Sequence, residues 1–238
     1  MYEKICSNST DKVFETNEIV FSADSKLLYI AGQRLDKIKK EWGQVEVMDV
    51  DSLELLSERN RDSDDWMTSY TFIGHTQNAT RVAIDHVHGR LASGGMDALT
   101  SVFDIDSGAC LYALDTFTHV VRSVSFSHCG QFVAAGDGHG PMKERENLNN
   151  GNFNKYSLVI ADAAEGDILY ELKHCLGIQS LRWSPKANVL AYLYDNLSPA
   201  VTGVGNMMQT QFSERDRYGS NPVIQGEVRI IGLSSYAT

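Results

Sequence analysis

The chain has 238 residues, 42% hydrophobic and 22% charged, which excludes disorder along its whole length and leaves enough apolar side chains for a sizeable core. Its formal net charge of -10 argues against a general phosphate-binding surface, because nucleic-acid backbones are bound through Lys and Arg that displace counterions. No run reaches the roughly 18 to 20 apolar residues of a membrane span, and residues 1–10 are too polar for the centre of a signal peptide, so a soluble intracellular protein with no membrane partner is expected. Cys6, Cys110, Cys129 and Cys175 are scattered without a CxxC spacing and are expected to be reduced thiols in neither a zinc site nor a disulfide framework.

In chain order, the first predicted strands are Glu18 to Asp24, Leu27 to Ile30 and Gly43 to Val50. A clearer unit opens at Gly74-His75 and continues through Arg81 to Asp85, Arg90 to Asp97, Leu99 to Asp104 and Ala109 to Leu114. These short alternating or apolar runs, punctuated by turn residues, predict antiparallel strands joined by hairpins. The same grammar returns in Val121 to Ser127, Gln131 to Gly136, Tyr156 to Asp162 and Asp167 to Leu172. It returns once more in Ile178 to Pro185, Val189 to Leu193 and Glu227 to Leu233. The sequence therefore divides into about four repeats, at 18–56, 74–114, 121–172 and 178–233, within a single domain. Polar stretches at 33–42, 57–69, 137–155 and 196–225 are expected to be insertions carried as surface loops.

Gly74-His75, followed by the Leu-Ala-Ser-Gly-Gly-x-Asp turn at Leu91 to Asp97 and a strand ending Val102-Phe103-Asp104, resembles the WD40 repeat, with Phe103 where that family usually has Trp. The closer likeness is to the WD-repeat subunits of THO complexes. It rests on Leu91 to Asp106, Val121 to Gly130, Ile160-Ala161-Asp162, Trp183-Ser184-Pro185-Lys186 and Gly226 to Leu233. The resemblance implies an all-β, WD40-type β-propeller of about four blades, part of a seven-bladed ring and so a partial domain. It also implies a non-catalytic nuclear scaffold in a THO/TREX-like complex for mRNA processing and export, with other protein subunits as partners. A WD40 adaptor in a ubiquitin-ligase or chromatin complex is the alternative, and a propeller enzyme a more remote one.

His75, Ser93 and Asp97 supply the residue types of a Ser-His-Asp hydrolase. In WD repeats the resembling positions form a buried hydrogen-bond network that ties a loop to a tight turn, and that structural role is the expectation for His75, Ser93, Asp97, Phe103 and Asp104. Phe103 lacks the indole N–H of the usual Trp, so the network is expected to be weaker here. Gly136-Asp137-Gly138-His139-Gly140 has the glycines of a phosphate cradle but no helix after it, and it is expected to begin an insertion. His86 and His88, with His128, His139 and His174 elsewhere, lack a metal-ligand spacing and are expected in turns. Arg34 to Lys40 is a local basic run, expected as a solvated turn, and Asp62, Asp64 and Asp65 beside Trp66 as a solvated insertion. No catalytic residue, cofactor, metal or small-molecule substrate is expected, and direct RNA binding is not.

Overall fold

The computed structural model describes residues 14–34, 43–52, 55–56, 71–138, 156–174, 177–196 and 225–232. The first sheet runs β1 (Phe14–Phe21), β2 (Leu27–Arg34), β3 (Gly43–Asp49), β4 (Thr71–His75), each strand beside the next. The second is β5 (Ala79–Asp85), β6 (Arg90–Gly95), β7 (Thr100–Asp104), β8 (Cys110–Leu114), and the third β9 (Val121–Phe126), β10 (Phe132–Asp137), β11 (Tyr156–Asp162), β12 (Ile168–His174). The fourth holds three strands among the described residues, β13 (Ile178–Trp183), β14 (Val189–Asn196) and β15 (Gln225–Gly232). All pairings are antiparallel, as short hairpin connections require.

The first strands β1, β5, β9 and β13 lie successively side by side, so the sheets are stacked as blades around a common axis. Because the second and third blades are each sandwiched between two others, their middle strands are buried on both faces, and β11 is buried from Tyr156 through Ala161 instead of alternating. The outer strand β8 is mostly exposed.

Each first strand carries a one-residue irregularity at the same place: between Thr16 and Glu18, between Ala79 and Arg81, between Val121 and Ser123 opposite Gly136 and Asp137, and between Ile178 and Ser180. This register aligns the blades residue by residue and shows which face meets which. Tyr29, Ala31, Val45 and Val47 of the first blade pack on Val82, Leu91 and Phe103 of the second. Ala92 and Val102 of the second pack on Val124, Val133, Ala135 and Val159 of the third, and Ala134, Leu158 and Ile160 of the third on Leu181, Leu190 and Tyr192 of the fourth. Val82, Val124 and Leu181 are thus 5%, 4% and 1% exposed, while Ile19, at the same position in the first blade with no earlier blade against it among the described residues, is 54% exposed.

Two glycines set how closely blades approach. A Cβ on Gly94 would lie 2.5 Å from Val121 Cγ1, and one on Gly136 would lie 2.6 Å from Ile178 Cγ2. Polar staples at the inner strands repeat with the same register. Asn17 Nδ2 donates to Ala79 O at 2.9 Å and Thr80 Oγ1 to Val121 O at 2.6 Å, each reaching the equivalent carbonyl of the following blade. One position further along, Glu18 Oε2 accepts from Val82 N–H at 2.9 Å and Ser123 Oγ from Leu181 N–H at 3.0 Å.

The fold is the all-β propeller expected, and two details differ. Gly74 and His75, which open the second sequence repeat, sit on β4 and so complete the first sheet, because the outer strand precedes the link to the next blade. Asp137, expected to begin an insertion, is fully buried at the end of β10, held there by backbone N–H groups described below. The side chains expected in the basic run 34–40 and in the Trp66 cluster lie outside the described residues.

Candidate functional site

Strand direction alternates within each blade, so the β2–β3, β6–β7, β10–β11 and β14–β15 connections fall at one end of the propeller, together with the links between blades. The chain between β2 and β3, between β10 and β11, and between β14 and β15 contains three of the four long insertions. The fourth joins β3 to β4 and belongs to the other end. The second blade alone makes its crossing with a tight turn at this end, through Met96, Asp97 and Ala98, the last at φ 63°.

Beneath this end lie two buried polar networks. In the first, His75 Nδ1 is 3.0 Å from Asp97 Oδ1 and His75 Nε2 is 3.0 Å from Ser93 Oγ. Asp97 Oδ2 also accepts from Thr76 N–H at 2.8 Å, and Asp97 Oδ1 from Leu99 N–H at 3.3 Å. Burial works against charge on Asp97, but the hydrogen bond and electrostatic pull of His75 and the two backbone N–H groups outweigh it and hold the carboxyl below its ordinary 3.8. An ionised Asp97 makes Nδ1 the donor, and on the other side of the ring Nε2 faces both Ser93 Oγ and, at 3.2 Å, Ser93 O. The connectivity is that of a hydrolase triad, but Ser93 is 0% exposed and enclosed within the sheet, so no acyl group can approach its oxygen. The arrangement instead locks the inter-blade link at Thr76 to the turn at Asp97.

Phe103 stands beside this network without a polar part in it. It is fully buried, edge-on to Phe72 with centroids 5.5 Å apart, and its ring closes the space above Gly74. Ser101 Oγ donates to Gly74 O at 3.2 Å. Asp104 lies at the opposite end of β7, where its Oδ1 accepts from Ser107 N–H at 2.8 Å and closes the β7–β8 hairpin. Asp49 and Asp162 make the same bond, from Ser52 N–H and Glu165 N–H, at the equivalent hairpins. Asp104 is therefore a turn cap, and the structure brings together His75, Ser93 and Asp97 with Phe103 alongside.

The second network centres on Asp137, which the sequence pattern did not reveal. Its Oδ2 accepts from Thr118 N–H and His119 N–H, both at 3.1 Å, and its Oδ1 from Ser157 N–H. His119 Nδ1 lies 3.8 Å away, and its ring packs 4.6 Å from that of Tyr156. Burial pushes the Asp137 carboxyl above 3.8, against these N–H groups and the nearby imidazole. Thr118 is the counterpart of Thr76, so Asp137 captures the equivalent inter-blade link, where Phe117 precedes Thr118 as His75 precedes Thr76. The signal available in sequence was the alignment of Gly136 with Gly94, which makes Asp137 part of a strand.

His86 and His88 occupy the β5–β6 turn, where His88 Nδ1 is 2.9 Å from Asp85 Oδ2. Among the described residues no three His, Cys, Asp or Glu side chains are grouped as a metal would require.

Stacked antiparallel blades with inner-strand staples and a His-Asp-Ser lock define the class: consecutive blades of a β-propeller. The profile of the family "WD domain, G-beta repeat" matches residues 66–104 and 108–140. Two solved structures share the fold: the crystal structure of RRP9 WD40 repeats, with a TM-score of 0.54 at 14% identity over 76% of this chain and 46% of that one, and the structure of U3-55K, with 0.54 at 13% over 76% and 48%. In sequence the chain is similar to THO complex subunit 3 of Arabidopsis thaliana, 25% identical over 186 residues, or 78% of this chain. The chain spans 47% of that relative's length, about half.

Proposed function

We propose that this chain is a non-catalytic scaffold subunit of a nuclear THO/TREX-like complex in mRNA processing and export, acting by binding other protein subunits. The observation that carries the reading is the 25% identity to THO complex subunit 3 across 78% of the chain. The geometry supports a scaffold. Rigid blades, stapled to one another through buried hydrogen bonds, hold their strand ends at fixed positions, and the strand ends that flank three insertions of the sequence lie at the end where the inter-blade links are locked. The mechanism is positional: partners bind the loops that the blades hold, with affinity concentrated in a few anchors.

The test is a tagged pull-down from nuclear extract at moderate salt, with partners identified by mass spectrometry. Recovery of the other THO subunits is the expected result. Recovery of a ubiquitin-ligase or chromatin complex in their place overturns the THO assignment and leaves a propeller adaptor.

A further inference from the structure

The second and third blades build their outer hairpins in the same way, residue for residue. Asp104 N–H donates to Ala109 O at 2.9 Å and Gly108 N–H to Asp104 O at 3.0 Å; in the next blade Asp162 N–H donates to Asp167 O at 2.8 Å and Gly166 N–H to Asp162 O at 3.0 Å. The strand that follows is bulged at the same point in both. Phe103 faces Cys110 and Val102 faces Tyr112, while Ala161 faces Ile168 and Ile160 faces Tyr170. The extra residue, left without a partner in the ladder, is Leu111 in β8 and Leu169 in β12. These two leucines are 47% and 54% exposed, and Cys110 and Ile168 before them are exposed as well.

A single exposed leucine is ordinary, but here two are fixed on one surface. Tyr112, directly after Leu111, donates its phenol to Asp162 O and Ala163 O, and its ring fills the space over Gly166, where a Cβ would lie 2.7 Å from Cδ2. The outer strand of the second blade is thereby fastened to the hairpin of the third, and the bulge leucines beside that contact share a rigid rim. The charge around them has one sign. Asp106, Glu165, Asp167 and Glu171 are exposed, residues 104–114 contain no Lys, Arg or His, and the only cation in 162–173 is Lys173, which is held by Glu171 and Ser157. Arg90, opposite Asp104 in register, is partly buried.

We propose that this rim binds a segment of a partner protein in which apolar side chains are flanked by Lys or Arg. The apolar side chains cover Leu111 and Leu169, and the cations meet Asp106, Glu165 and Asp167. The same carboxylates repel a nucleic-acid backbone or an anionic membrane, so a basic protein segment is the complement of this surface. The hairpins lie at the end of the propeller opposite the inter-blade links, and the proposal does not rest on the THO-like reading.

The experiment is fluorescence anisotropy of the full chain with two labelled peptides of equal charge, Lys-Leu-Lys-Leu-Lys-Lys-Leu and the same sequence with Ser in place of Leu. Saturable binding of the leucine peptide with a Kd below about 1 mM is expected, weakening as salt is raised. The double variant Leu111→Ser, Leu169→Ser should weaken it roughly tenfold or more, because each leucine has about half its surface left to bury. Ile73→Ser, at an isoleucine 61% exposed on the first blade, should leave it unchanged. Glu165→Lys with Asp167→Lys should weaken binding of the lysine peptide and strengthen binding of a peptide with Glu in place of Lys, a gain that a damaged fold would not show. Three results would overturn the proposal: equal binding of the leucine and serine peptides, affinity unchanged in the leucine double variant, or self-association of the chain that is lost in that variant, which would give the rim to a second copy.

Discussion

Replacing Asp97 by Ala tests the reading of the His75 network as a structural lock. The substitution leaves His75 Nδ1, on a side chain 1% exposed, without its acceptor, at a cost of about 1 to 3 kcal/mol for a buried unsatisfied group. Thr76 N–H also loses its 2.8 Å acceptor, but water reaches this exposed residue, so it adds little. The expected loss is about 2 to 3 kcal/mol at neutral pH, read from urea denaturation as a lower midpoint, with faster hydrogen exchange at Thr76 and Leu99. The pH dependence gives the sharper check. The folded carboxyl titrates below 3.8, so its contribution is fully present above the unfolded value and is lost as pH falls through the folded one. The gap in stability between wild type and Asp97→Asn should therefore be flat above about pH 5 and narrow below 3.8. A loss under about 0.5 kcal/mol, or a gap that does not change with pH, would refute the argument.

Asp137→Asn should show the opposite slope. Its folded carboxyl titrates above 3.8, so the native state holds more protons in that interval and wild-type stability falls as pH rises through it, a fall the variant lacks; parallel curves by denaturation would contradict this. Thr80→Val removes the hydroxyl that bridges Gly94 O and Val121 O at 3.0 and 2.6 Å, and should cost about 1 to 2 kcal/mol by the same denaturation assay. Tyr112 is the tyrosine whose hydroxyl donates to Asp162 O at 3.2 Å and Ala163 O at 3.0 Å, and burial raises its pKa to about 12. Spectrophotometric titration should show a late phenol near that value that is lost in Tyr112→Phe, and wild-type stability should fall as pH rises from 10.0 toward it.

Much of the architecture was legible without coordinates because it is written in local chemistry. Strand runs such as Val121 to Ser127 and Arg90 to Gly95, bounded by turn residues, fix the number and order of strands, and their recurrence fixes the repeat. His75, Ser93 and Asp97 could be picked out because their spacing resembles a known repeat. Asp137 could not, since a Gly-Asp-Gly-His-Gly string is locally a loop, and only the approach of Thr118 and His119 from the β8–β9 link and of Ser157 from β11 makes it a buried hub. Asp104 and Asp97 are both turn-flanking acids in sequence, and their fates diverge because antiparallel strands send them to opposite ends of one blade.

The sequence by itself determined an all-β repeat protein, its hairpins and the residues of one polar lock, since alternation and turn propensity act over a few residues. Tertiary structure alone decided which blade owns His75 and which glycines let inner strands touch. Each of these depends on contacts between residues tens of positions apart, where the backbone register of one sheet meets the face of the next.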